Sequence, residues 1–194
     1  MKGGASNPMG MLAGLSAGKS QARQGLAGDP TRRPVVLENL SMRIGRDGTW
    51  YYQNSPINRL PLVKLFASVL RREDDGFWLV TPAERGRVTV EDAPFTAVEV
   101  RAEGTGRDQR LIFRTNLDED VTADDTHPIR LGMIPGEGAQ EGPAPYIEVR
   151  DRLEARILRP VFYHLVELGE EQGDQFGVWS SGRFFPLGRL DSAR

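Results

Sequence analysis

Residues 58–76 read NRLPLVKLFASVLRREDDG, and this stretch restricts the folds open to the chain more than any other. Leu62, Leu65, Phe66, Val69 and Leu70 fall at i, i+3, i+4, i+7 and i+8, the spacing of one apolar stripe along an α-helix. Asn58 suits an N-cap, and Pro61 then lies in the first turn, where its missing N–H is tolerated. Arg71 and Arg72 suit the negative end of the helix dipole, and Gly76 lies just beyond. The spacing predicts one helix over residues 58–76. Burying five such side chains contributes roughly 1.5–3 kcal/mol each before entropy is counted. The stretch is therefore read as a core element and not as a site.

The chain has 194 residues, room for one domain or two small ones with real cores. Its 25 basic and 27 acidic residues leave no basic excess to attract a polyanion, so nucleic acid is not expected as a partner. Cysteine is absent, which excludes disulfides, thiolate chemistry and cysteine-ligated metals and fits a reducing cytoplasm. No apolar run approaches the ~18 residues of a membrane-spanning helix, and no membrane association is expected. A cytoplasmic location is the reading that follows.

Residues 1–34 are rich in Gly, Ala and Ser without durable periodicity and read as a flexible tail. A secretory signal is disfavoured because its apolar run is broken by Gly10 and Gly14 and only Lys2 precedes it. Residues 13–20, AGLSAGKS, fit a relaxed phosphate-loop pattern. A working loop needs a strand before it and a helix after it, and neither is legible here, so the match is read as coincidence.

Strand-like runs at residues 40–44 and 49–52 flank an Arg46-Asp47-Gly48 turn. Further strands are expected at residues 77–81, 87–91, 95–101, 110–115, 129–134 and 146–150. Residues 121–125 read as an acidic turn. A second helix is expected from Asp151, with Asp151 and Glu154 as a capping box, a kink at Pro160 and an end at Gly169. Residues 176–179 and 183–187 form a closing hairpin over Ser180-Ser181-Gly182.

Leu158, Val161, Phe162, Leu165 and Val166 repeat the apolar positions of the first helix at one offset, 158 − 62 = 96. The same offset pairs Trp50 with Tyr146 and Ile57 with Leu153. Any two amphipathic helices can be slid into such agreement, but with the paired flanking residues the expectation is duplication of a strand–helix–strand unit. Residues 135–145 then become an enlarged hairpin loop rather than a linker. The expected division is a tail over residues 1–34, an α+β domain over 35–86 and a second over 87–190. The fold class is α+β, with two tandem related domains and mostly antiparallel sheet.

The runs DGTW (47–50), SPI (55–57), LVKLFAS (62–68), TP (81–82), VEDAPF (90–95), FRTN (113–116) and VWSSG (178–182) occur in order. Together they make the chain resemble a bacterial family catalogued as domain of unknown function 1285, over roughly residues 35–190. The resemblance implies two α+β domains with a repeated motif, the second superficially like pleckstrin-homology folds. It also implies a nucleotide-like ligand between the domains and a role in signalling. The chain departs from the family pattern at Gln53-Asn54, where an acidic residue and a glycine are expected before Ser-Pro.

Only two histidines are present. His127 follows Asp118, Glu119, Asp120, Asp124 and Asp125, but the spacing matches no calcium loop, and a solvated acidic turn is the expectation. His164 is read as a residue at the edge of the apolar stripe rather than a general base. No metal and no cofactor are expected. Trp179, Ser180, Ser181 and Arg183 together supply a stacking face, two hydroxyls and a cation, the groups that a phosphate and a purine need. The same Ser and Gly residues also serve a plain hairpin turn. Arg114 and Asn116 share one face of a strand end, with Thr115 on the other, a pattern that strand-end solubility explains equally well. Glu84 lies near the domain junction.

These readings make the chain a non-enzymatic binding protein for a small, nucleotide-like ligand in a cleft between two related domains, with a role in signalling. The candidate ligand-binding residues are Trp179, Ser180, Ser181, Arg183, Arg114, Asn116 and Glu84. The alternative is a protein-interaction module with a pleckstrin-like second domain and a protein partner. An enzyme ranks last, because no cysteine and no recognisable acid–base set are present.

Overall fold

Alternating apolar positions and left-handed turn residues dominate the chain, and the structure they specify is mostly β with two short helices. The structure is a computed structural model that describes residues 10, 34–135 and 143–190. The tail, with its phosphate-loop match and signal-like run, lies outside the described residues but for residues 10 and 34, and so does much of the enlarged loop over 135–145. The chain divides into two compact units. The first takes in Thr49–Glu91 and the chain up to Gly45, and the second Arg46–Gly48 and the chain from Asp92 onward. The expected division at 86/87 falls inside a strand of the first unit.

The first unit contains β1 (Val35–Ile44), β2 (Trp50–Tyr52), β3 (Ser55–Pro56), α1 (Leu60–Ser68), β4 (Leu70–Glu73), β5 (Gly76–Val80) and β6 (Glu84–Val90). They form one sheet in the order β3-β2-β1-β6-β5-β4. All its pairs are antiparallel except β1 with β6. Alternation along the strands sends Met42, Ile44, Trp50, Leu79 and Val88 to the core. There the Phe66 ring of α1 stacks on the Trp50 indole, with centroids 6.2 Å apart and planes 12° from parallel. Val63, Phe66 and Ala67 are the buried residues of α1.

The helix expected over residues 58–76 is shorter than its periodicity suggests. It stops at Ser68, and Leu70-Arg71-Arg72-Glu73 turn back as β4 against β5, so both arginines lie on a strand. Pro61 does fall in the first turn. The Gln53-Asn54 turn joins β2 to β3 with both residues left-handed, at φ +48° and +64°. That is the two-residue hairpin conformation that an acid–glycine pair would adopt more easily. Exchanging the pair for Asp-Gly is expected to raise stability by about 1 kcal/mol in a urea melt.

The second unit contains β7 (Phe95–Glu103), β8 (Arg110–Thr115), β9 (Asp120–Thr122), β10 (Ile129–Gly132), β11 (Ala144–Arg150), β12 (Leu153–Ile157), α2 (Arg159–Glu167), β13 (Glu170–Gln172), β14 (Gln175–Ser180) and β15 (Arg183–Arg189). One sheet runs β10-β11-β12-β7-β8-β9, and a second runs β13-β14-β15. The only parallel pair recorded in these two sheets among the described residues is β12 with β7. Phe95, Leu111, Phe113, Ile147, Leu153, Leu165 and Phe185 are fully enclosed. The predicted hairpins β10–β11 and β14–β15 are present, and the predicted strands β7 and β8 pair antiparallel as a third.

The second helix begins later than expected. Asp151 and Arg152 are left-handed turn residues between β11 and β12, so Asp151 and Glu154 form no capping box. Glu154 instead pairs across the sheet with Arg130. Pro160 lies in the first turn of α2 and introduces no kink. Both helices therefore carry proline near their start, at an offset of 160 − 61 = 99 rather than 96. The offset of 96 fails because it equates Leu65, which is exposed, with Val161, which is buried. Each unit does present a hairpin, then a helix, then a run of three strands, in that order. No described helix is long and apolar enough to cross a membrane.

Candidate functional site

The residues singled out from sequence have mostly structural partners. Ser181 and Gly182, at φ +52° and +76°, make the two-residue turn between β14 and β15. Ser180 is fully buried; its hydroxyl donates to the Ala123 carbonyl at 2.6 Å and accepts from the Leu111 N–H at 2.9 Å. The Ser181 hydroxyl also donates to Ala123, and its N–H to the Gln109 carbonyl. Trp179 packs at a tilt on Phe184, with the Arg107 guanidinium 4.7 Å from its ring centre. Arg183 pairs with Asp125 at 2.6 Å. The hairpin thus keeps the four residues together while the fold uses their polar atoms.

Arg114 and Asn116 are both half-buried, while Thr115 between them is enclosed, as the alternation predicts. Arg114 pairs with Glu99 and Asp118. The Glu99 hydrogen bond, reinforced by its charge, holds the Arg114 pKa above the ordinary guanidinium value. Asn116 donates to the Gly48 carbonyl and accepts from the Thr96 N–H. Glu84 belongs to the first unit, where its backbone closes a turn with Thr81.

Residues 121 and 122, expected in an acidic turn, lie on β9 instead, and the turn that follows at Asp124–His127 walls a cavity. Arg110, Asp120, Asp124, His127, Ser181 and neighbours line a space of about 460 Å³. Asp124 Oδ1 accepts from the N–H groups of Thr126 and His127, and His127 Nδ1 lies 3.1 Å away. Burial raises the Asp124 carboxyl pKa, but these hydrogen bonds outweigh it and hold it below the ordinary value. Among the described residues, no three metal-binding side chains gather to hold an ion. His164 is exposed on α2.

A larger cavity, about 700 Å³, opens where β12 passes into α2. That volume is within the roughly 300–1,000 Å³ range of small-molecule sites. Ile134, Pro145, Ile157, Leu158, Phe162 and Tyr163 supply apolar and aromatic walls, and Arg156 and Arg159 are its charged lining residues. Leu158 is extended, with φ −69° and ψ 153°, so β12 and α2 meet at a corner that brings both arginines to one space.

Arg156 is held from behind. Its Nε lies 3.2 Å from Asp92 Oδ2, and its Nη2 donates to the Arg46 carbonyl at 3.0 Å. The Asp92 side chain is 2% exposed, and its Oδ1 accepts from the Tyr146 hydroxyl at 2.8 Å. Arg156 Nε and Asp92 Oδ2 face each other at ion-pair distance without a well-aligned hydrogen bond. Arg159 is exposed and has no hydrogen bond or ion pair with any described residue.

Burial, helped by the Asp92 carboxylate, raises the Tyr146 pKa far above the ordinary value of 10.0. The unfolded chain then releases this proton first as pH rises, so the native state binds more protons above pH 10 and stability falls there. Tyr146→Phe is expected to flatten that part of the stability curve, measured as urea midpoints between pH 9 and 11. An unchanged slope would contradict the assignment.

A protein of two mostly-β units with a cationic, apolar-walled cavity in the second is the class that these features define. The chain belongs to the DUF1285 family. The family's N-terminal domain, described as a domain of unknown function, matches residues 31–93, and its C-terminal domain, described as a protein of unknown function, matches residues 94–187. The crystal structure of a DUF1285 family protein from Silicibacter pomeroyi DSS-3 is similar over 89% of this chain and 95% of that one, at 45% identity and a TM-score of 0.76. A DUF1285 family protein from Shewanella baltica OS155 covers 66% of this chain and 91% of its own, at 25% identity and a TM-score of 0.50. No curated protein matches the chain.

Proposed function

We propose that the chain is a non-enzymatic binding protein for a small anionic ligand, held in the cavity at the β12–α2 corner. The observation that carries this reading is the pairing of Arg156 and Arg159 in a partly apolar space with no carboxylate among its described lining residues. A concave apolar site with a few convergent polar groups is what small ligands require. Arginine is suited to the role because its planar donors match carboxylate and phosphate oxygens. Nucleotide-like anions, and a role in signalling, are the ligand and context that the family resemblance suggests.

Thermal-shift measurements on the full chain with nucleotides and organic acids test the reading. A melting temperature that rises with ligand concentration, and does so less in Arg159→Ala, supports it. No shift with any anion at millimolar concentration contradicts it. The second reading, a protein-interaction module with a pleckstrin-like second domain, draws support from Tyr163 and Val166, which are 60% and 41% exposed on α2. A stoichiometric protein partner whose binding is abolished by Tyr163→Ala would favour it.

A further inference from the structure

Charge around the β12–α2 cavity is more selective than the presence of two arginines suggests. Arg156 is compensated by Asp92, at 3.2 Å. It also spends a donor on the Arg46 carbonyl. Arg159 has no carboxylate partner among the described residues. The described lining residues therefore offer a net charge near +1, with Arg156 contributing directed hydrogen-bond donors and Arg159 a charge that no described carboxylate compensates. Among its described lining residues there is no carboxylate to bind a divalent cation, which the usual metal-bridged polyphosphate sites need. The remaining walls are aliphatic, proline and aromatic, with the Tyr163 hydroxyl as a further polar side-chain atom.

We infer that the cavity takes an amphiphilic organic monocarboxylate, an aliphatic or aromatic acid whose carboxylate meets Arg159 and Arg156 while its hydrocarbon body fills the space along Ile157, Leu158 and Phe162. This rests on the small-anion reading above and narrows it. A carboxylate's single charge matches the net charge of the lining and its two oxygens match two guanidinium donors. A triphosphate brings several charges that the lining does not neutralise, and burying unmatched charge is costly. Acetate has the head group without the body, so it forgoes the apolar contacts, worth ~0.8 kcal/mol for each buried CH₂.

Isothermal titration of the full chain with octanoate, benzoate, acetate, AMP and ATP is the test. Octanoate or benzoate is expected to bind at least about tenfold more tightly than acetate or ATP, and Arg159→Ala is expected to weaken that binding by about tenfold or more. Arg159 is exposed and has no described partner, so its replacement leaves the fold intact. Tighter binding of AMP or ATP, lost in Arg159→Ala, overturns the monocarboxylate inference and leaves the small-anion reading standing. If no anion binds at millimolar concentration, or octanoate binds equally to Arg159→Ala, both are overturned.

Discussion

Replacing Asp92 with alanine is expected to lower the stability of the protein by about 3 kcal/mol, read as the change in unfolding free energy from urea melts. The carboxylate is 2% exposed and faces Arg156, whose side chain is 20% exposed, so its loss strands a mostly enclosed guanidinium. It also leaves the Tyr146 hydroxyl without its acceptor. Breaking a buried pair from one side costs about 3–5 kcal/mol, and the partial exposure of Arg156 sets the lower end of that range here. Replacing both partners by apolar residues, Asp92→Leu with Arg156→Met, is expected to cost much less, because no charge is left alone. A loss below about 1 kcal/mol for Asp92→Ala would mean that water already solvates the pair.

The first unit makes a comparable prediction in its core. Trp50 is 1% exposed and stacks on Phe66, so Trp50→Ala is expected to cost about 3–5 kcal/mol, from lost burial and the cavity left behind. Trp50→Phe is expected to be far milder. It keeps an aromatic ring against Phe66 and removes a buried indole N–H that has no hydrogen-bond partner among the described residues. Urea denaturation followed by circular dichroism distinguishes the two. Equal losses would show that the indole N–H, rather than the ring, matters at this position.

Strands were legible because their signals are local. Alternation fixed β7 and β8, and Ser181-Gly182 fixed the β14–β15 turn. The helices were harder because an apolar residue at the right spacing need not lie on the helix. Leu70 continues the stripe of α1 by position, yet it is buried from the first residue of β4. Arg71 and Arg72 then resemble a helix ending although they lie on a strand. Asp151 and Glu154 have capping-box spacing, but the left-handed turn at Asp151 and Arg152 places them at the head of a strand.

The same left-handed turn hides the cavity from the sequence. On a single helix over residues 151–169, Arg156 and Arg159 would be an i, i+3 pair. The extended backbone at Leu158 instead bends the chain between them. The compensation by Asp92 depends on a contact 64 residues away in sequence (156 − 92), which no local pattern encodes. The Trp179–Arg183 group shows the opposite difficulty. Its serines have the chemistry of a phosphate site, but Ala123 and Leu111 already use the Ser180 hydroxyl. Residue types reveal what a side chain can do, while the partners it finds decide what it has left to offer a ligand.

The most direct measurement is a map of backbone amide chemical shifts in the full chain during titration with octanoate. The account predicts saturable changes concentrated at Ile134, Ala144 and the non-proline lining residues of 156–163, which wall the second unit's larger cavity. Changes centred on residues 179–183, or none at saturating ligand, would contradict it.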